Sequence, residues 1–333
     1  MVRLSGAVVL RGRLSAPWAI SAPDAVELAR AVAPGARRLV PFHLVAEGRC
    51  SIGLEGRHVE LTKGTIAFLP DGGSHTLASG DARNTVPIAT LIATARRDTG
   101  LPVVEHGGGG EPTRIVCGFM RCDEVLFDPL LDSLPGLLRA ETTLDADRSL
   151  LSATARHLVA EAEATHAGGA CLLARLAELL FIEVLRRHIA EQPPAAIGWL
   201  GALHDPLVGR ALQLLHAEPA RRWTVAELAR RAGASRSRLA AGFKARLALP
   251  PMRYLASWRV QLSTQWLRDQ TLGLAAIAER IGYESEAAFN RAFKRHTGQP
   301  PGAWRVLTTR CEGAAAASAA PGGPRRSPGA RRA

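Results

Sequence analysis

Three side chains early in the sequence have the chemistry of a metal site. His43, Glu47 and His75 are an imidazole, a carboxylate and an imidazole, and three such donors converging on one point can hold a zinc-like ion. His75 closes a fixed spacing: Gly64, five residues, Pro70, one residue, Gly72, two residues, His75. In physical terms, Gly64 turns the chain into a strand, Pro70-Asp71-Gly72-Gly73 reverses it, and His75 opens the returning strand facing inward. The two histidines equally suit the hydrogen-bonded lining of an effector pocket, or plain core. A metal ion at His43 and His75 is therefore one reading among three, and no other cofactor is expected. Cys117 follows Ile115 and Val116, which suits a buried small hydrophobe; a redox-sensing thiol is the alternative.

A second group of residues has the chemistry of base and phosphate recognition. Residues 224–255 and 273–304 carry one pattern twice: Ala229 to Gly233 matches Ala278 to Gly282, Leu239 matches Phe289, Phe243-Lys244 matches Phe293-Lys294, and Pro250-Pro251 matches Pro300-Pro301. Each copy reads as a short helix, a glycine turn and a second helix, the helix-turn-helix arrangement. In the first copy Val225, Leu228 and Ala229 pack inward, Ser235 caps the second helix, and Leu239 and Phe243 are its buried face. Arg236, Ser237, Arg238, Ala241 and Lys244 are left outside. In the second copy Ile277, Ala278 and Ile281 pack inward, Glu284 or Ser285 caps, and Phe289 and Phe293 are buried. Glu286, Ala287, Asn290, Arg291 and Lys294 face outward, with Arg295 beside them.

A helix in the major groove reads bases near its N-terminus. Arg236 and Arg238 suit guanine edges or phosphates, Asn290 suits adenine, Glu286 a cytosine amino group, and Arg291, Lys294 and Arg295 phosphates. Glu284 and Glu286 fit phosphate poorly and equally suit contact with the transcription machinery. Between the copies, MRYLASWRVQLSTQWLRD reads as a long amphipathic helix, with Leu255, Trp258, Leu262 and Trp266 on one side. It sets the spacing of the two reading helices. At a separation of roughly 34 Å, one subunit reaches successive major grooves.

The charge pattern agrees. Residues 205–310 hold 18 Lys/Arg against 7 Asp/Glu, a balance of +11; residues 311–333 add +3 and residues 1–204 contribute −2. The basic excess sits with the repeat and tail, as expected of a polyanion-binding module. No apolar run reaches the roughly 18 residues that span a membrane, and the N-terminus lacks a leader pattern, so a cytoplasmic protein with no membrane partner is expected. Five cysteines at positions 50, 117, 122, 171 and 311 form neither a disulfide framework nor a zinc-finger pattern. Cys117 and Cys122, five apart, face opposite sides of a regular strand.

Residues 1–128 supply the elements that position the histidines. Short apolar runs at 7–10, 39–46, 66–69 and 88–95 read as strands between Gly/Pro/Asp turns. The glycine-rich stretch 99–115 reads as a surface loop, with His106 exposed, and RIVCGFMRCD as a final strand. Residues 129–191 change to a helical period. LLDSLPGLLRAET reads as a short helix or turn. A helix capped by Asp145 or Asp147 follows, with Leu150, Leu151, Thr154, Leu158 and Val159 on one face. The next helix is apolar around more than one stripe, so the pair reads as a hairpin that packs on the strands and forms a dimer interface. Residues 192–204 read as a proline-containing linker, 205–307 as an all-α domain that opens with Asp205 and Pro206, and 308–333 as a disordered basic tail.

The segment I-A-x-x-x-G-Y-x-S-x-x-x-F-x-R-x-F-K-x-x-x-G-x-x-P, from Ile277 to Pro301, resembles the DNA-binding domain of the AraC/XylS transcription regulators, as does PPMRYLASWR. The spacing from Gly64 to His75 matches the second cupin motif, and FHLVAEG, LTKGTIAFLPDGGSHTLA and the segment from Val116 to Leu138 resemble the cupin sensor domain on one branch of that family. The first cupin motif departs from the pattern, with Pro41 where a histidine stands beside His43. The resemblance implies an α+β chain: a cupin-like β-barrel with an αα-hairpin, then two helix-turn-helix motifs. It implies a regulator that binds double-stranded promoter DNA, addresses RNA polymerase, senses a small-molecule or redox signal and forms a homodimer. Some members of this branch sense oxidants through cysteines; Cys117 lies in the matching I-V-C-G segment, and no cysteine precedes Cys50. A metal-dependent cupin enzyme carrying a DNA-binding module is the alternative, although the incomplete ligand set argues against enzyme activity.

Overall fold

The computed structural model describes residues 4–306 apart from 34, 35, 37, 97–99, 123–130, 146–148, 165, 192–197 and 268–270. The expected tail, Cys311, Asp147, the side chain of Cys122 and the first part of the expected linker lie outside the described residues.

Eleven strands are described: β1 (Leu4–Ser15), β2 (Trp18–Ala22), β3 (Leu39–Glu47), β4 (Arg49–Leu54), β5 (Arg57–Thr62), β6 (Thr65–Phe68), β7 (His75–Ser79), β8 (Val86–Pro87), β9 (Val103–Gly107), β10 (Pro112–Cys122) and β11 (Leu138–Glu141). They form a six-stranded sheet in the order β11-β6-β3-β10-β1-β9 and a five-stranded sheet in the order β5-β4-β7-β2-β8. The sheets face each other as a flattened barrel around Leu10, Leu14, Trp18, Ile20, Val45, Ile52, Leu77 and Ile115. Side chains alternate across a strand, so β3 and β10 have a second apolar face. Phe42, Leu44, Val116 and Met120 use it to pack against helices α3 (Leu150–Glu163) and α4 (Gly169–Glu191). Phe68 joins Phe42 and Phe181 there, with ring centroids 5.4 and 5.1 Å away. Burying each such ring contributes roughly 1.5–3 kcal/mol.

Several elements differ from the sequence reading. Residues 25–32 form helix α1 (Ala25–Val32), because the Asp24 carboxylate caps the amides of Val26 and Glu27 at 2.9 Å each. The apolar run after Pro87 is helix α2 (Ile88–Ala93), not a strand; a short apolar run does not reveal its own period. Leu138–Glu141 is a strand rather than part of a helix, recruited by pairing Leu138 with Phe68 and Glu141 with Thr65. The glycine-rich stretch is no free loop. Val103–Gly107 pairs with β1, His106 is half-buried, and the amides of Gly108 and Gly110 donate to the carbonyls of Ser15 and Ala16 at 2.8 and 2.7 Å. Ser149, not an aspartate, caps α3, and Leu150 lies outside its buried face at 50% exposure.

The C-terminal helices are α5 (Trp199–His204), α6 (Pro206–Ala217), α7 (Val225–Ala232), α8 (Arg236–Leu247), α9 (Pro251–Leu267), α10 (Leu274–Arg280) and α11 (Glu286–Thr297). Trp199–His204, read as linker, is helical and packs with this group; Trp199 Nε1 donates to the Tyr254 hydroxyl at 3.1 Å. Side-chain caps open four of the others: Asp205 for α6, Thr224 for α7, Ser235 for α8 and Ser285 for α11. Two cores result. Leu228, Ala229, Leu239 and Phe243 form the first with α6; Ile277, Ala278, Ile281, Phe289, Phe293 and Trp304 form the second. Val225 is half-buried at the edge of the first. Helix α9 serves both, with Tyr254 and Leu255 in one and Val260 and Leu267 in the other. It is buried on more than one side, and Trp258, Leu262 and Trp266 are only partly covered. Among the described residues, no helix is long and apolar enough to cross a membrane.

Candidate nucleic-acid interface and sensor site

Each reading helix buries two anchors and leaves one face open. On α8, Leu239 and Phe243 are fully buried, whereas Arg236, Ser237, Arg238, Ala241 and Lys244 are exposed. On α11, Phe289 and Phe293 are fully buried; Glu286, Ala287, Arg291, Lys294 and Arg295 are exposed and Asn290 is half-buried. Packing thus fixes each helix while the expected contact residues remain available.

Some arginines near the repeat are held by carboxylates. Arg221 meets Glu218 at 2.8 Å, Arg231 meets Glu218 at 3.0 Å, Arg222 meets Glu284 at 3.2 Å and Arg246 meets Asp205 at 3.3 Å. Among the described residues, Arg236, Arg238, Lys244, Arg291, Lys294 and Arg295 have no carboxylate partner. Arg210, Arg230, Arg253 and Arg280 are exposed and likewise have no carboxylate partner among the described residues. What distinguishes the cations of α8 and α11 is their grouping on the outer faces of two helices whose other faces are buried, where they are available to an external anion. Glu284, assigned from the sequence to the outer chemistry, is tied to Arg222.

The first turns differ. That of α8 carries no acid and two arginines, which adds cationic charge to the positive end of the helix dipole, an arrangement suited to phosphate. That of α11 begins with Glu286, which stabilises the helix end and repels phosphate.

The barrel interior brings His43, His75 and Cys117 together, but not Glu47. Cys117 is the direct register partner of His43 across β10 and β3. Its Sγ lies 3.0 Å from His43 Nδ1; His43 Nε2 lies 2.8 Å from His75 Nε2; His75 Nδ1 lies 3.2 Å from the Gly73 carbonyl oxygen. The carbonyl only accepts, so His75 carries its proton on Nδ1. Its bare Nε2 accepts from His43 Nε2–H, and His43 Nδ1 accepts from the Cys117 S–H. Every donor in this array is used.

Glu47 departs because β3 bulges. Ile115 pairs with Val45 and Arg114 with Glu47, so Ala46 is an extra residue that reverses the alternation. Glu47 therefore turns to the opposite face, where it bonds Arg114. Among the described residues no group of three metal-ligating side chains converges, and the two imidazoles bond each other. The three-ligand reading of His43, Glu47 and His75 does not fit this geometry, because Glu47 faces away from the two imidazoles.

The electrostatics favour neutral groups. Burial, then the neighbouring His75, holds His43 well below the usual histidine range. Burial also lowers His75, against the opposing Gly73 carbonyl. Burial pushes the Cys50 thiol up to about 12 and raises that of Cys117 as well. Cys117 is thus a protonated donor rather than a reactive thiolate. Beside the array lies a chamber of about 60 Å³, lined by Leu10, Leu14, Ile20, Leu77, Val104, Ile115, His43 and Cys117. A polar cleft of about 350 Å³, lined by Ser21, Glu55, His58, Ser74 and Thr76, has His75 in its wall.

Two features escaped the sequence reading. The Cys117–His43 contact depends on register between strands far apart in sequence. The second is the contact of Arg259 with Tyr283, 5.5 Å from guanidinium to ring centroid; its one visible signal is that the second copy has Tyr283 after its glycine where the first has Ala234.

Two packed helix-turn-helix units with open cationic faces, behind a two-sheet domain, define a DNA-binding regulator. Residues 1–190 match the family model described as Cupin, and residues 228–306 one described as Helix-turn-helix domain. An AraC-like transcription regulator of Streptomyces lividans is 37% identical over 279 residues, covering 82% of this chain and 89% of that protein. The HTH-type transcriptional regulator AlkR of Acinetobacter baylyi is 30% identical over 272 residues, covering 79% and 86%. ToxT from Vibrio cholerae aligns over 92% of this chain and 98% of its own at a TM-score of 0.34 and 12% identity, too distant to bear on the site. The chain belongs to the AraC-like transcription regulators, with a cupin domain ahead of the DNA-binding helices.

Proposed function

We propose that the chain regulates promoters in the cytoplasm by inserting α8 and α11 into double-stranded DNA, under the control of a small effector held in the barrel. The cations grouped on the outer faces of α8 and α11, with no carboxylate partner among the described residues and with each helix anchored by two buried side chains on its other face, carry this reading. Arg236 and Arg238 supply phosphate or guanine contacts; Asn290 and Glu286 discriminate bases; Lys244, Arg291, Lys294 and Arg295 hold the backbone.

Residues 1–128 are the sensor, 129–191 the dimerising hairpin, 192–204 the connection and 205–307 the DNA-binding domain, with α5 packed onto the last. Leu172 and Ile182 support dimerisation: both lie on α4 and are 48% and 45% exposed. The effector is uncharged and mainly apolar, because the chamber has no charged wall residue and the polar groups beside it bond one another. RNA polymerase is the machinery addressed. Mapping the promoters bound by the full chain in cells tests the proposal. Sites lost in the Arg291→Ala variant support it; an unchanged set of sites in both the Arg291→Ala and Arg236→Ala variants overturns it.

A further inference from the structure

The two copies of the repeat meet at a second junction, beyond their separate packing on the helix they share, and that helix supplies one residue to it. Residues 218–223, between α6 and α7, lead directly into the first copy and touch the second. Arg259, half-buried on α9, donates from Nε to the Pro219 carbonyl at 2.7 Å and from Nη2 to the Arg221 carbonyl at 2.8 Å. Its guanidinium also covers the Tyr283 ring. One residue earlier the backbones nearly touch: a Cβ on Gly282 would lie 2.2 Å from the Ala220 carbonyl oxygen. Arg222 and Glu284 add an ion pair, which contributes little because both ends are exposed.

The matching glycine of the first copy shows that this contact is particular. Gly233 and Gly282 share a left-handed backbone, φ 79° and 82°. Nothing lies within 4 Å of where a Cβ on Gly233 would stand. Gly233 serves its turn alone, whereas Gly282 also admits the neighbouring copy.

A single shared helix leaves rotation about itself as a soft motion; a second attachment removes it. The second attachment here ends at Tyr283, just before the Ser285 cap of α11. We infer that Arg259 and Gly282, acting on the backbone of residues 219–221, are positioning residues that fix the distance and rotation between α8 and α11, so that the protein accepts one spacing between the two DNA segments it reads. This inference rests on the reading above that both helices contact DNA.

The test uses the full chain and a duplex that it selects from a random-sequence pool. Footprinting defines the contacted segments. One base pair is then inserted or removed between them, which turns one segment against the other by about 35° and shifts it by about 3.4 Å. A duplex with one segment is the control. Wild type should lose about tenfold or more in affinity for each altered spacing, a loss comparable to a mismatched base pair. Arg259→Gln and Gly282→Ala should each reduce that penalty to under about threefold while binding the one-segment duplex as wild type does. Arg259→Lys, which keeps the charge and gives up the planar fork, should fall between.

The inference is overturned if wild type accepts all spacings alike or if both variants keep the full penalty. It is also overturned if all three variants lose one-segment binding in step with two-segment binding, because the junction is then a folding contact. A footprint with one contacted segment overturns the reading beneath it as well; two segments with no spacing penalty overturn this inference alone.

Discussion

On the proposed reading, Asn290 meets a base edge and Arg291 a phosphate. Replacing either with alanine should weaken operator binding by about 1–3 kcal/mol. Competition with altered operators separates the roles: Asn290→Ala relaxes the preference at one base pair, and Arg291→Ala weakens all sequences alike. The two turn glycines give a second expectation. Alanine in the left-handed region costs about 1–2 kcal/mol, which is the expected loss for Gly233→Ala, since nothing else crowds that site. Gly282→Ala should cost more because Ala220 must move; urea unfolding of the full chain measures both. The outer faces of α8 and α11 were legible because caps, period and buried anchors are local signals. Glu47 was not. Its direction is set by an extra residue in β3 relative to β10, and no local pattern announces it.

At the scale of elements, the barrel should be sensitive to acid. Burial lowers both His43 and His75, so the unfolded chain binds protons that the folded barrel refuses. Stability is complete above the ordinary histidine pKa of about 6.5 and falls as pH drops below it. Thermal unfolding near pH 7.5 and pH 5 should show the lower midpoint at the lower pH, and replacing both histidines by glutamine should flatten the dependence. The hairpin makes a separate prediction. Leu172→Glu with Ile182→Glu should leave a folded monomer by light scattering, since both side chains are exposed on α4. The helical hairpin and the helix-turn-helix units were readable from their periods. Helix α2 and strand β11 were not, since one is a short apolar run and the other exists only because β6 recruits it. Helix α1 did carry a signal, the capping Asp24, inside a region otherwise read as strands.

Across the whole molecule, charge is divided: the strongly basic part is the repeat and tail, and residues 1–204 are close to neutral. If the six unpaired cations of α8 and α11 each neutralise a phosphate, affinity should fall by about a thousandfold between about 50 and 200 mM salt; titration of the full chain against its operator checks this. The near-neutral part follows a different logic. His43 stands on β3 between Phe42 and Leu44, which seat the helical hairpin, while its own ring closes the chamber. Adjacent residues of one strand thus belong to the sensor and to the seat of the proposed dimer interface, and nothing intervenes between them. With the chamber's polar atoms bonded to one another and its wall uncharged, a guest has little to exchange with it except room. On the proposed reading, a sensor built this way measures how much space is filled, and the hairpin registers the displacement.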